Sequence, residues 1–233
     1  MYNNTRFISA CLALSVLVSC TVAHKDEGTL ASQQNSTQAV KVESPEETRL
    51  RFGPGDPVAG MEKTFLCQGC HGEDGISFDS RVPKLAGQYG SYISKQVRNY
   101  LSGLLPHQIM GSMAGTISDE DLNDIAAYFA SQPMMKGNIP SDNKLGKQLY
   151  YSDDAEIERV SCDSCHGVEG KGLSPDNPVY PVIGGQHRDY LYMQLLKFKN
   201  GERNNSPGGM MNTTVHHLSN AQLEALADYI SGL

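Results

Sequence analysis

The sequence predicts an all-α chain built of two tandem domains related by internal duplication. Three observations predict it. The pentapeptide pattern C-x-x-C-H occurs twice, as Cys67-Gln68-Gly69-Cys70-His71 and as Cys162-Asp163-Ser164-Cys165-His166. Residues downstream of each copy repeat at a fixed offset of 98: Pro83, Gly87, Gln88, Tyr92, Gln96 and Gly103 return as Pro181, Gly185, Gln186, Tyr190, Gln194 and Gly201. Apolar residues recur at helical spacing in both halves, and no stretch shows a convincing strand pattern. The offset grows from 95 at the motifs to 98 and then to 101 at Tyr128 and Tyr229, so small insertions separate the repeated blocks. Duplication is the simplest account.

C-x-x-C-H is the attachment signature of c-type haem. The thiols of Cys67 and Cys70, and of Cys162 and Cys165, would bond to the porphyrin vinyl groups. His71 and His166 would each supply an axial imidazole nitrogen. The pattern therefore predicts two covalently bound haem c groups. A redox dithiol or a zinc site are the competing readings of C-x-x-C. A four-cysteine zinc site leaves both histidines unexplained, and the 95-residue separation of the motifs far exceeds the spacing of zinc ribbons. A thioredoxin-like motif would lie beside a strand–helix–strand pattern, which this sequence lacks.

Composition agrees with a bound cofactor. Only 39% of the 233 residues are apolar and tryptophan is absent, which is lean for two independent cores. Two porphyrins would supply the missing apolar bulk. The net charge of −7 argues against a nucleic-acid partner and favours a protein with a basic docking patch.

Taken in order, residues 1–20 read as an export signal: Arg6, a short apolar run from Phe7 to Val18, then Leu17-Val18-Ser19-Cys20. That ending resembles a bacterial lipobox, with Cys20 as the lipidated residue and several acyl chains giving stable anchoring; an ordinary signal peptide cut nearby is the alternative. Residues 21–55 are polar and predict a flexible tether with a reach of roughly 30–35 Å. The first domain is assigned to residues 56–133. Pro57 to Leu66 is read as a short helix entering the first motif. Lys84 to Gln88 follows as a loop. Ser91 is read as the N-cap of a helix carrying Tyr92, Ile93, Gln96, Val97, Tyr100 and Leu101, which Gly103 ends. Leu104 to Thr116 reads as a loop. Ser118 and Asp121 start a further helix with Leu122, Ile125, Ala126 and Phe129 on one face. Residues 134–143 are Gly, Pro and Asn rich and read as a linker. The second domain, 144–233, begins with a helix at Lys144–Tyr151 and ends with one capped by Ser219 and Gln222.

The repeat also selects the second axial ligand. Met110 lies eight residues before Ser118, and Met211 eight before Ser219. Met113 matches Thr214, and Met210 matches Ile109, so Met113 and Met210 are read as packing residues. His107 and His187 have no histidine counterpart. His187 is assigned a surface or propionate-side role, and His216 and His217 are read as surface residues. Iron held on both sides has no vacancy for peroxide, nitrite or oxygen, so the sequence predicts an electron carrier and not an enzyme. No Ser-His-Asp grouping, phosphate loop or catalytic carboxylate pair stands out.

These blocks resemble the dihaem cytochromes c of the c4 type over about residues 56–233. The resemblance rests on the paired motifs, PKLAGQ at 83–88, GGQ at 184–186, SDEDLNDIAAYF at 118–129 and the C-terminal LSNAQLEALADYISGL. It implies two class I cytochrome c domains packed about a pseudo-twofold axis, with haems facing across the interface. Carried over by position, His71 and Met110 would hold one iron, and His166 and Met211 the other. It further implies a periplasmic member of a respiratory chain, taking electrons from a donor such as a quinol-oxidising complex and feeding a terminal oxidase. A haem-bearing subunit of a periplasmic dehydrogenase, of the flavin sulfide dehydrogenase type, is the alternative, and a dihaem peroxidase a weaker one. The chain departs from the family in its lipobox and long tether, and at Pro178-Val179-Tyr180-Pro181-Val182, where the family tends to a Phe-Pro-Lys-Leu type run.

Overall fold

The computed structural model describes residues 44–137, 139–157, 159–173 and 179–233. The expected signal, Cys20, most of the expected tether and Pro178 lie outside the described residues. Among the described residues regular structure is helical, apart from one antiparallel bridge between Asp154 and Arg159. No described helix is long and apolar enough to cross a membrane.

The tether expectation fails for its last part. Residues Pro45–Phe52 form helix α1. Low apolar content argued against order here, but local hydrogen bonding supplies it. Ser44 and Glu47 form a reciprocal capping box, Pro45 occupies the first turn, and Glu46 pairs with Arg49. None of its residues is fully buried, and Arg51 Nη2 donates to the Gln132 carbonyl at 3.3 Å.

The first half continues with α2 (Pro57–Lys63) and α3 (Phe65–His71). The sequence reads as one helix up to Leu66, but the chain breaks at Thr64. Its hydroxyl donates to the Met61 carbonyl at 2.8 Å and accepts from Gln68 Nε2 at 2.8 Å. Helix α4 spans Gly90–Leu101, α5 Gln108–Ala114 and α6 Asp119–Ser131. Two expectations are corrected here. Tyr89, not Ser91, is the N-cap of α4; Ser91 falls inside the first turn, its hydroxyl buried without a partner. Leu104–Thr116 is not all loop: Pro106 precedes α5 and Gly115 caps its end, so only Gly111 sits within the helix.

The second half repeats the plan. Helix α7 is Lys144–Tyr151, α8 Asp163–His166, α9 Arg188–Lys199, α10 Met210–Val215 and α11 Asn220–Ser231. As expected, Ser219 and Gln222 form a full capping box. The long helices α6 and α11 organise the two halves. Helix α2 packs on α6, and α7 on α11. Gly60 and Gly146 sit at these crossings, where a Cβ would run into the carbonyls of Asp124 and Ala225. The two cores are separate: Ile93, Ile125, Ala126, Tyr128 and Phe129 in the first half, and a larger cluster around Tyr150, Leu195, Leu223 and Leu226 in the second.

A third cluster joins the halves: Tyr89, Met135 and Val182, with Ile76, Tyr92 and Met134 against it. Residues read as a linker are thus partly built into the interface. Met135 N donates to the Ala86 carbonyl, and Gly137 N to that of Leu233.

Candidate functional site

The site begins with the last residue of each motif. His71 ends α3 and is 8% exposed; His166 ends α8 and is 7% exposed. His71 Nδ1 donates to the Pro83 carbonyl at 2.8 Å, and His166 Nδ1 to the Pro181 carbonyl at 2.9 Å. A carbonyl only accepts, so Nδ1 carries the hydrogen in both rings and Nε2 keeps its lone pair. Burial pushes both imidazoles below the usual histidine range, which favours that neutral form. A ring fixed by one nitrogen with the other free is the arrangement of a metal-ligating histidine.

The cysteines fit covalent attachment better than the alternatives. All four thiols are unbridged. Burial raises Cys67 and pushes Cys162 up to about 11. A reactive redox dithiol needs the opposite shift. The two pairs do not converge either: among the described residues no three His, Cys, Asp or Glu side chains gather as a metal site.

Met110 lies on α5 and Met211 on α10, both half-buried. Each is held by its backbone in a parallel way. Met110 N donates to His107 Nδ1 at 3.2 Å, and Met211 N to Ser206 Oγ at 3.1 Å. Met211 and Cys162 pack against the same core cluster. In the first half a cavity of about 220 Å³ opens beside Cys67, lined by Met113, Ile117 and Ile125 among others. Met113 reaches this cavity from one turn beyond Met110 on the same side of α5.

The other histidines have separate places. His107 caps α5 and meets Tyr100 edge-on, with ring centroids 5.8 Å apart. His187 stands at the junction of the halves, its Nε2 2.9 Å from Ser77 Oγ and 3.0 Å from the Ser77 carbonyl. His216 and His217 are exposed, as expected.

Sequence reasoning missed Arg203. Arg203 is 5% exposed, and its guanidinium stacks on Phe198 at 4.4 Å. It donates to Asn205 Oδ1 (2.9 Å), Gln194 Oε1 (2.8 Å), Tyr92 OH (3.0 Å) and Gln96 Oε1 (3.4 Å). None of these acceptors is a carboxylate. A buried cation among neutral groups is costly unless an anion joins it. Nearby on α4, Gln96 Nε2 and Asn99 Nδ2 are buried donors without partners. Burial raises the Tyr190 and Tyr100 phenols above their ordinary range, so neither supplies the charge. A haem propionate would carry the missing charge and would accept from such donors, so the residues present fit the group. The available signal was in the repeat: Arg203 falls 98 positions after Leu105, a charged residue where the first copy is apolar.

Comparisons with known proteins agree with this geometry. A family model described as Cytochrome c matches residues 144–233, and one described as Cytochrome C oxidase, cbb3-type, subunit III matches residues 59–129. Cytochrome c4 of Azotobacter vinelandii is 36% identical over 80% of this chain and 93% of its own length. The crystal structure of reduced recombinant cytochrome c4 from Pseudomonas stutzeri superposes with a TM-score of 0.72 at 37% identity, covering 77% of this chain and 99% of that one. Thiosulfate dehydrogenase (TsdBA) from Marichromatium purpuratum gives a TM-score of 0.65 at 28% identity, covering 80% of this chain and 39% of that one.

Proposed function

From the premise that the chain belongs to the cytochrome c4 family, and so is an electron-transfer protein with two covalently bound haem c groups, we propose that it works in the bacterial periplasm as a lipid-anchored carrier. It takes electrons singly from a respiratory donor, such as a quinol-oxidising complex, and delivers them to an acceptor such as a terminal oxidase. The observation that carries this reading is the matched pair of buried imidazoles, each fixed at Nδ1 by a proline carbonyl with Nε2 left free.

Cys67 and Cys70 bind one porphyrin, and Cys162 and Cys165 the other. His71 with Met110 would hold one iron, and His166 with Met211 the other. Each haem supplies a one-electron couple. The chain's own residues do the rest: the proline carbonyls fix ring orientation, helices α5 and α10 present the methionines, and Arg203 offsets carboxylate charge. Residues 56–133 and 144–233 form the two domains. Cys20 bears the lipid, and residues 21–43 span the distance to the membrane.

A reductive titration of the holoprotein should show two one-electron steps and no turnover of peroxide. Rapid carbon monoxide binding by the native reduced protein would contradict a filled sixth position. The similarity to thiosulfate dehydrogenase (TsdBA) favours a second reading, a haem-bearing partner of a sulfur-compound dehydrogenase. Co-purification with such a dehydrogenase, and reduction by it, would support that reading over a free carrier.

A further inference from the structure

Each half of the molecule holds the peptide that holds the other half's histidine. The carbonyl of Pro83 and the N–H of Lys84 belong to one peptide unit. The carbonyl accepts from His71 Nδ1, and the N–H donates to Gln186 Oε1 of the second half at 2.9 Å. The mirror arrangement holds in the second half. The Pro181 carbonyl accepts from His166 Nδ1, and the N–H of Val182 donates to Gln88 Oε1 of the first half at 3.0 Å. Each glutamine closes a second bond with its Nε2, Gln186 to the Lys84 carbonyl at 2.9 Å and Gln88 to the Val182 carbonyl at 2.8 Å. Both glutamines are buried, so the four bonds are shielded from water.

We propose that Gln88 and Gln186 are positioning residues that tune the axial histidine of the opposite half through the intervening peptide. This rests on the assignment of His71 and His166 as iron ligands. An N–H that donates polarises its own peptide and makes the carbonyl a better acceptor, by about 10–30% per bond. A stronger acceptor draws on the Nδ1 hydrogen and raises the basicity of Nε2. A more basic Nε2 favours the oxidised iron and lowers the reduction potential. Docking of the halves therefore lowers both potentials, each through a residue of the other half.

The relay predicts a crossed pattern that simple loosening of the interface does not. The test is redox titration of the holoprotein followed by NMR, with resolved haem methyl resonances reporting each site. Gln186→Met removes the bonds at nearly constant volume. It should shift the one-electron equilibrium of the His71 site about threefold toward the reduced form, about 30 mV at 59 mV per tenfold, and move the His166 site much less. Gln88→Met should do the reverse. Gln186→Glu keeps the accepting oxygen and adds charge, so it should move the His71 site the opposite way. Lys84 Nζ, which donates to the Gly185 carbonyl at 2.7 Å, is at hand to offset that charge. Shifts confined to the mutated half, equal shifts at both sites, or no shift would overturn the relay, as would Met and Glu variants moving the same site in the same direction. Wrong axial ligands would show separately, as a wild-type spectrum without histidine ligation.

Discussion

The two halves use one peptide arrangement around their histidines and differ sharply at one buried position. Leu105 N donates to the Asn99 carbonyl, and Arg203 N to that of Lys197, so the two residues occupy equivalent backbone sites 98 apart. Leu105 is 6% exposed and Arg203 5%. One copy buries a methyl-tipped side chain, and the other a cation that reaches Tyr92 and Gln96 of the first half. Duplication thus preserved what fixes the two histidines and left the charge elsewhere in each half free to diverge. A cation close to iron disfavours its more positive oxidised state.

The largest test of that comparison removes it. Arg203→Leu should destabilise the haem-loaded protein by about 3 kcal/mol, because a paired buried anion loses its partner. It should also lower the midpoint potentials. Urea unfolding and spectroelectrochemistry on the same sample would measure both. A variant of unchanged stability and potential would mean that Arg203 is balanced by its neutral neighbours alone.

A second test concerns what the halves share. Gly87 and Gly185 immediately precede the bridging glutamines, with φ of 66° and 81°. A Cβ at either would meet linker backbone, at Met134 and Lys136 respectively. Gly87→Ala and Gly185→Ala should each cost more than about 2 kcal/mol, from strain and lost packing together. Urea midpoints should fall by similar amounts. A large difference would show that only one side of the bridge carries the interface.

The smallest effect lies at the paired N-caps. Tyr89 and His187 open α4 and α9 at equivalent positions. Tyr89 OH donates to the Lys171 carbonyl, whereas His187 meets Ser77. Burial, then the Lys84 ammonium, holds His187 below the usual histidine range; Ser77, Asp189 and Asp79 oppose the shift. Below the unfolded value near 6.5 the unfolded chain therefore binds more protons than the folded one. Stability is fully present above that pH and is lost as acid takes it down through the lower folded value. The Tm of the holoprotein should fall across this window, and less so in His187→Gln. An identical acid slope in both proteins would remove His187 as the cause.

Much of this was legible in the sequence because the chain states it twice. The haem motifs, Pro83 and Pro181, Gln88 and Gln186, and the capping residues of α11 all stand out by repetition. Repetition also hid things. Arg203 broke the pattern and so drew no attention as a site. The cross-domain bonds join residues 94 and 102 positions apart and need three dimensions to be seen. Helix α1 is hidden by its low apolar content, while Ser44, Pro45 and Glu47 supply its order locally. Helix α5 is hard to see in the sequence because Pro106 and Gly115, which look like breakers, only mark its ends.

The measurement that reaches the central claim most directly is the methionine-to-iron charge-transfer band of the oxidised holoprotein. Met110→Ala and Met211→Ala should each remove about half of it, and Met113→Ala should leave it whole. A band that survives Met110→Ala and halves in Met113→Ala would move the first axial ligand to the methionine beside the Cys67 cavity. No band in the wild type would contradict methionine ligation altogether.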